Sequence, residues 1–435
     1  MERFALSRMK EWKENENRKP LIIRGARQVG KTWIMKTFGQ QYFEKTAYVN
    51  FDNNARMKQV FEGDLDIERL VLSISAETGV SIEAENTLII FDEVQEVPKA
   101  LTSLKYFYEN APQYAIVAAG SLLGVALHQG TSFPVGKVDF LDLYPLNFRE
   151  FLCAMGEKQF VSMLDSCDTQ MVTVFKTKYI ERLREYYFVG GMPEVVKDFS
   201  EKKDYNRVRA IQKNLINYYQ QDFSKHAEIK LVPRLNLVWN SIPMQLAKEN
   251  KKYIYGQVRE GSRAKDFELA IQWLLDCGLI HKVQRIQKPD LLLKAYIDFD
   301  AFKLFLVDIG LLIAMTDLDA KVIIEGNKIF TEFKGALTEQ YILQQLISDV
   351  GVIPYYYSTQ NSKGEIDFLV QGKTSVIPIE VKAEENLKAK SLKAFCEKYQ
   401  PSYAVRTSMS DYREQDWMTN IPLYAVKWIK NYVNQ

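Results

Sequence analysis

Cysteine and histidine are scarce in this chain. Four cysteines, at 153, 167, 277 and 396, and three histidines serve 435 residues, and no two cysteines form a CxxC pair. Neither a zinc site nor a disulfide framework is expected, and scattered thiols suit a reducing cytoplasm. An excess of one charge is also missing. Charged residues make up 26% of the chain and nearly cancel, at a formal +2. That excludes a uniformly basic nucleic-acid coat but leaves room for a local basic groove. No apolar run is long enough to span a bilayer; the longest, LFLVDIGLLIAM, is interrupted by Asp308. The opening stretch MERFALSRMKEWKENENRKP is charged throughout and lacks the apolar core of a signal peptide. The expectation is a cytoplasmic protein without membrane contact. Hydrophobic residues, at 47%, suffice for several cores, and the length suggests two or three domains.

The first third carries a phosphate-binding pattern. Leu21 to Arg24 form a short apolar run after Pro20, a candidate buried strand. Gly25-Ala26-Arg27-Gln28-Val29-Gly30-Lys31-Thr32 then matches G-x-x-x-x-G-K-[ST], and a helical stretch from Trp33 follows with Ile34, Met35 and Phe38 on one side. Strand, loop, helix is the context this motif requires. Gly25 and Gly30 let the backbone aim its N–H groups at phosphates, and the helix N-terminus adds positive potential. Lys31 is expected to reach the β- and γ-phosphates of ATP, and the Thr32 hydroxyl to ligate Mg²⁺. The candidate nucleotide-binding set is Gly25 to Trp33 with Ser121. Leu88 to Phe91 form a second apolar run that ends in Asp92 and Glu93, the Walker B arrangement. Asp92 would hold the metal through water and Glu93 would polarise the attacking water. A third run, YAIVAAGSLL, places Ser121 where a sensor hydroxyl would sit. Strands alternating with helices imply a doubly wound parallel sheet.

The chain resembles the AAA-type P-loop ATPases of a large prokaryotic family that carry a C-terminal domain of unknown function. The resemblance rests on RGARQVGKT, IIFDEVQEVP, AAGSLLG, LYPLNFREFL, VGGMPEVV, FLVDIGLL and the late EIDF and IEVK. One departure is Gly136-Lys137, where the family often has Gly-Arg; a lysine cannot form the planar fork of an arginine.

The middle reads as helical from Phe148 to about Gln221, broken at Gly190 to Pro193. By resemblance to related ATPases, Gly191, Met192 and Pro193 are expected near the nucleotide base. Next comes helix, turn, helix and a wing-like strand LIHKV, with Ile242, Leu246, Phe267, Ala270, Ile271, Leu274 and Leu275 at helical spacing. This looks like a winged helix. Lys251, Lys252, Arg259, Arg263 and Lys265 gather around its second helix, a candidate DNA contact. Asp308 reads as a helix cap.

The last third carries a second constellation. On the helix predicted over 331–349, Glu339 falls in the middle of the apolar stripe, a costly place for a charge unless it is paired or metal-bound. GEIDFLVQGKTSVIPIEVKA then reads as two strands joined at Gly372-Lys373. Period two sets Glu380 and Lys382 on one face, and the hairpin brings Asp367 diagonally near Glu380. Carboxylate oxygens suit Mg²⁺ or Mn²⁺, and Lys382 could position or activate water. Acid on a helix, Asp on one strand and Glu-x-Lys on the next resembles PD-(D/E)xK nucleases of the restriction-endonuclease-like fold. That resemblance assigns Glu339, Asp367, Glu380 and Lys382 to such a core, with the three acids as metal ligands.

The fold class expected is α/β. An N-terminal P-loop doubly wound parallel sheet (1–147) leads into a helical lid (148–225) and a winged helix (226–300). A restriction-endonuclease-like α/β domain (301–435) follows. The function expected is Mg-dependent ATP hydrolysis coupled to a metal-dependent nuclease acting on DNA. The alternative is a nucleotide-dependent switch or scaffold that binds DNA or a protein partner without cutting. Assembly into an oligomer is compatible with either.

Overall fold

The computed structural model describes residues 1–120, 133–248, 251–324, 331–359, 364–383 and 389–435. Its Cα positions divide into two compact units. One holds Glu2–Tyr144 with Asp276–Leu279, and the other holds Pro145–Leu275 with Ile280–Gln435.

The first unit is built on five parallel strands: β1 (Leu21–Arg24), β2 (Lys45–Asn50), β3 (Thr87–Asp92), β4 (Ala115–Ala119) and β5 (Asp139–Asp142). Their order is β2-β3-β4-β1-β5. β3 and β4 are buried along their whole length, which explains their unbroken apolar runs: a parallel strand covered on both faces needs no polar side. Ile22, Val49, Phe91, Leu104 and Ile116 share one core cluster there. β1 delivers the glycine-rich loop and the helix Lys31–Tyr42 at its carboxyl end.

The second unit begins with helices over the range expected to be helical, from Phe148–Ala154 to Tyr205–His226. The turn at Gly190 to Pro193 lies between helices Lys176–Val189 and Pro193–Lys202. Helices Val232–Leu246, Tyr255–Val258 and Ala264–Asp276 follow, then β6 (Ile280–Ile286) and β7 (Ile297–Leu306) as an antiparallel pair. Helix, turn, helix and strand therefore occur in the expected order.

The strands do not stop at a separate module. β6 and β7 join β8 (Tyr355–Ser358), β9 (Glu365–Gln371), β10 (Val376–Val381), β11 (Val405–Ser408), β12 (Arg413–Gln415) and β13 (Met418–Pro422) in one mixed sheet. The order is β12-β13-β11-β10-β9-β8-β6-β7. The expected boundary at residue 300 falls inside β7, because the parallel pairing of β6 with β8 continues the same hydrogen-bonded ladder. Within that sheet, helix Thr331–Gln345, β8, β9, β10, helix Lys390–Tyr399 and β11 follow an αβββαβ order, antiparallel twice and then parallel. Tyr357, Ile366, Leu369, Leu392 and Phe395 form the core under helix Lys390–Tyr399. Among the described residues no helix is long and apolar enough to cross a membrane.

Candidate functional site

The glycine-rich loop owes its shape to three left-handed residues: Gly25 at φ 148°, Gln28 at φ 66° and Gly30 at φ 95°. Gly25 has no substitute, since a Cβ there would lie 2.1 Å from the Leu143 carbonyl oxygen. Ala26 and Val29 are buried and anchor the loop, while Trp33 is 43% exposed on the first turn of the helix. Lys31 donates to the carbonyls of Gly25 at 2.9 Å and Ala26 at 2.8 Å. Burial pulls its ammonium down to about 8, against the opposing pull of Glu93 and Asp92.

β3 brings Asp92 to the same place. The Thr32 hydroxyl donates to Asp92 Oδ2 at 2.7 Å, and the Tyr48 hydroxyl donates to the same oxygen at 2.9 Å. Glu93 follows in a left-handed conformation at φ 51°, with Gln95 Nε2 donating to its Oε2 at 2.7 Å. Lys31, Thr32, Asp92 and Glu93 thus meet as the spacing predicts. Arg27 is close enough to act electrostatically on Lys31. Ser121 lies outside the described residues. Lys137, at the family's arginine position, pairs instead with Glu109 at 3.0 Å.

In the second unit Glu339 is buried, and its partners are lysines. Lys251 pairs with its Oε1, and Lys303 Nζ stands 3.5 Å from its Oε2. Burial pushes the Glu339 carboxyl up, but the two lysines outweigh it and hold the group below the usual range. Lys303 is itself wholly buried on β7 and also pairs with Glu365. Burial and the Glu339 charge raise Asp367 to about 8, although its Oδ2 accepts the Val381 N–H at 2.7 Å. Glu380 is held at 2.7 Å by Lys382, and its Oε2 is buried without a hydrogen-bond donor.

Of the three expected ligands, Glu339 and Glu380 pair with lysines, while Asp367 accepts a backbone N–H. Among the described residues no three His, Cys, Asp or Glu side chains form a metal-holding group. Lys251 and Lys303 neutralise Glu339, and Lys382 neutralises Glu380.

Sequence reasoning missed Lys303, Glu365 and Tyr48, and set Lys251 among the DNA-facing cations. Lys303 had a signal. It interrupts the apolar run AFKLFLV, the same anomaly that marks Glu339. Arg259, Arg263 and Lys265 do remain exposed. Gly191, Met192 and Pro193 are occupied within their own unit: Gly191 N–H donates to Asp308 at 2.6 Å and its carbonyl accepts from Leu146 N–H at 2.7 Å.

Family models match three stretches of the chain. Residues 17–152 match the AAA domain family. Residues 180–322 match a domain of unknown function, DUF8612, and residues 334–426 match another, DUF4143. Among solved structures, a Walker-type ATPase of Pyrococcus abyssi is 15% identical over 72% of this chain and 95% of its own, with a TM-score of 0.44. The Aeropyrum pernix Orc1 protein, solved in complex with DNA, is 13% identical over 72% and 91%, with a TM-score of 0.27. Cdc6p from Pyrobaculum aerophilum is 10% identical over 72% and 92%, with a TM-score of 0.26. Likenesses this distant carry no functional argument. No curated protein matches the chain. The loop and the Thr32–Asp92 contact both lie within residues 17–152, so this stretch forms an AAA-type P-loop domain. The protein that carries it adds two domains of unknown function.

Proposed function

We propose that the chain hydrolyses ATP with Mg²⁺ at the P-loop and uses the nucleotide state to control its C-terminal domain. The observation that carries this is the 2.7 Å contact between Thr32 and Asp92, which joins two motifs 60 residues apart. Their hard oxygens, with Glu93 next in the chain, suit Mg²⁺, held by Thr32 directly and by Asp92 through water. When bound, the metal would neutralise charge on the β- and γ-phosphates. The loop N–H groups from Gly25 to Trp33 would cradle those phosphates, with Ser121 as the sensor. Lys31 would exchange its carbonyl partners for phosphate oxygens, and Glu93 would orient and polarise the attacking water. The test is nucleotide binding and turnover in three proteins. Lys31→Ala should lose binding. Glu93→Gln should bind ATP without turning it over; wild-type turnover in that variant would remove Glu93 from its role.

For the C-terminal domain, the order of Glu339, Asp367, Glu380 and Lys382 on an αβββαβ core supports a PD-(D/E)xK-like nuclease acting on DNA. A second reading is a switch or scaffold that binds DNA or a protein partner without cutting. The lysine pairing of Glu339 favours the second, because Lys251 and Lys303 already neutralise that carboxylate. No cleavage step is therefore derived. DNA would meet the exposed Arg259, Arg263 and Lys265 of the helix-turn-helix segment, read as a winged helix. Supercoiled, linear, branched and single-stranded DNA with Mg²⁺ or Mn²⁺ separates the readings. Cutting by wild type that disappears in Asp367→Ala/Glu380→Ala would establish the nuclease and overturn the switch.

A further inference from the structure

Asp92 receives more hydrogen bonds than the P-loop pattern requires. Thr32 and Tyr48 both donate to Oδ2, at 2.7 and 2.9 Å, and the Glu93 N–H donates to Oδ1 at 3.1 Å. The carboxylate is 3% exposed, so these donors, rather than bulk water, set its orientation. Tyr48 reaches it from the neighbouring strand. The parallel register pairs Tyr48 with Ile90, so Asp92 stands two residues further along β3 on the same face.

The ring is fixed as well. The Lys36 ammonium lies 3.8 Å from its centroid, a cation–π contact. Lys36 follows Thr32 by one helical turn, so a single helix face delivers the hydroxyl to Asp92 and the ammonium to the tyrosine. Four side chains from three elements therefore close one network.

We infer that Tyr48 is a positioning residue for the Walker B carboxylate, fixing Asp92 in the orientation that serves Thr32 and the nucleotide-bound metal. This rests on the Mg-ATPase reading. A terminal carboxylate turns easily about its last bond. A second donor on Oδ2 removes that freedom before nucleotide arrives.

Tyr48→Phe keeps the ring, its packing and the Lys36 contact, and deletes the donor alone. The experiment titrates a fluorescent ATP analogue against wild type and Tyr48→Phe, in EDTA and across a Mg²⁺ series below the melting temperature of both. Hydrogen bonds to charged groups contribute enough that the Mg²⁺ half-point should rise about tenfold in the variant. Affinity in EDTA should be unchanged. An unchanged Mg²⁺ half-point overturns the positioning role and leaves the ATPase reading intact. An equal loss in EDTA and in Mg²⁺ also overturns it, since that is the signature of a merely structural tyrosine. A wild-type affinity that ignores Mg²⁺ overturns the Mg-ATPase reading and this inference with it.

Discussion

Replacing Lys303 by methionine should destabilise the second unit more than any surface lysine change. The side chain is fully buried on β7 and its ammonium serves Glu339 at 3.5 Å, Glu365, and the Tyr356 ring at 4.9 Å. Methionine preserves length and nearly the volume, so the cost is electrostatic. At 3.5 Å two unit charges attract by about 5 kcal/mol at an effective dielectric of 20. Desolvation offsets much of that in the intact pair, but not when one partner is removed. Breaking a buried pair costs about 3–5 kcal/mol. Lys251 still faces Glu339 in the variant, so the lower end, about 3 kcal/mol, is expected. The pH dependence gives a second signature. In wild type the lysines hold Glu339 below its ordinary range, so their contribution is lost as pH falls. In the variant the buried carboxylates take up protons on folding, so stability is lost as pH rises. Only the second acts between pH 8 and pH 5.5, because the wild-type loss sets in below the ordinary glutamate value, and it narrows the gap on acidification. Urea unfolding followed by tryptophan fluorescence at pH 8 and pH 5.5 would measure it, since Trp239, Trp273, Trp417 and Trp428 all lie in this unit. A loss below about 1 kcal/mol at pH 8, or a gap that widens on acidification, would refute the network.

Two further outcomes are expected. Gly25→Ala sets a Cβ 2.1 Å from the Leu143 carbonyl at φ 148°, so nucleotide binding should disappear and the melting temperature of the first unit should fall; retained binding of the fluorescent analogue would contradict the loop geometry. Asp308, fully buried, is raised to about 6 by burial, so the folded state holds its proton more tightly than the unfolded chain does. Its contribution to stability is therefore fully present only below about pH 4 and is lost as pH rises through 6, by about 2 kcal/mol between pH 4.5 and pH 6. Asp308→Asn should remove that slope in denaturation midpoints taken from pH 4.5 to 7.5, whatever its own stability.

The candidate nucleotide site was legible because its parts are local. A glycine loop between a strand and a helix, and two acids after an apolar strand, need no knowledge of the fold beyond one parallel sheet. The hairpin was legible for the same reason: β9 and β10 pair across the predicted turn, with Ile379 opposite Phe368. Glu339 was found because one charge stood in an apolar stripe. Its partners were not found, because Lys251 and Lys303 lie 88 and 36 residues away. A cation near a helix-turn-helix reads as a nucleic-acid contact until the fold turns it inward. Tyr48 escaped for a similar reason. Only the β2–β3 register aims its hydroxyl at Asp92.

The segments VGGMPEVV and FLVDIGLL appeared as separate markers in the sequence, and the structure makes them one object. The Asp308 carboxylate caps its own helix by accepting the Leu311 N–H at 3.1 Å, and it also accepts the Gly191 N–H at 2.6 Å. A Cβ on Gly190 would lie 2.2 Å from Asp308 Oδ1, and one on Gly310 would lie 2.5 Å from the Val189 carbonyl. The glycines are required because two helix termini close on a single buried carboxylate, with Gln344 Nε2 as a further donor at 3.4 Å. Burial alone would make that carboxylate unaffordable as an anion; the converging N–H groups hold its range down to about 6 rather than higher. The motif pair is thus accounted for by backbone approach and charge satisfaction inside the second unit. Its presence in a sequence marks how that unit is packed.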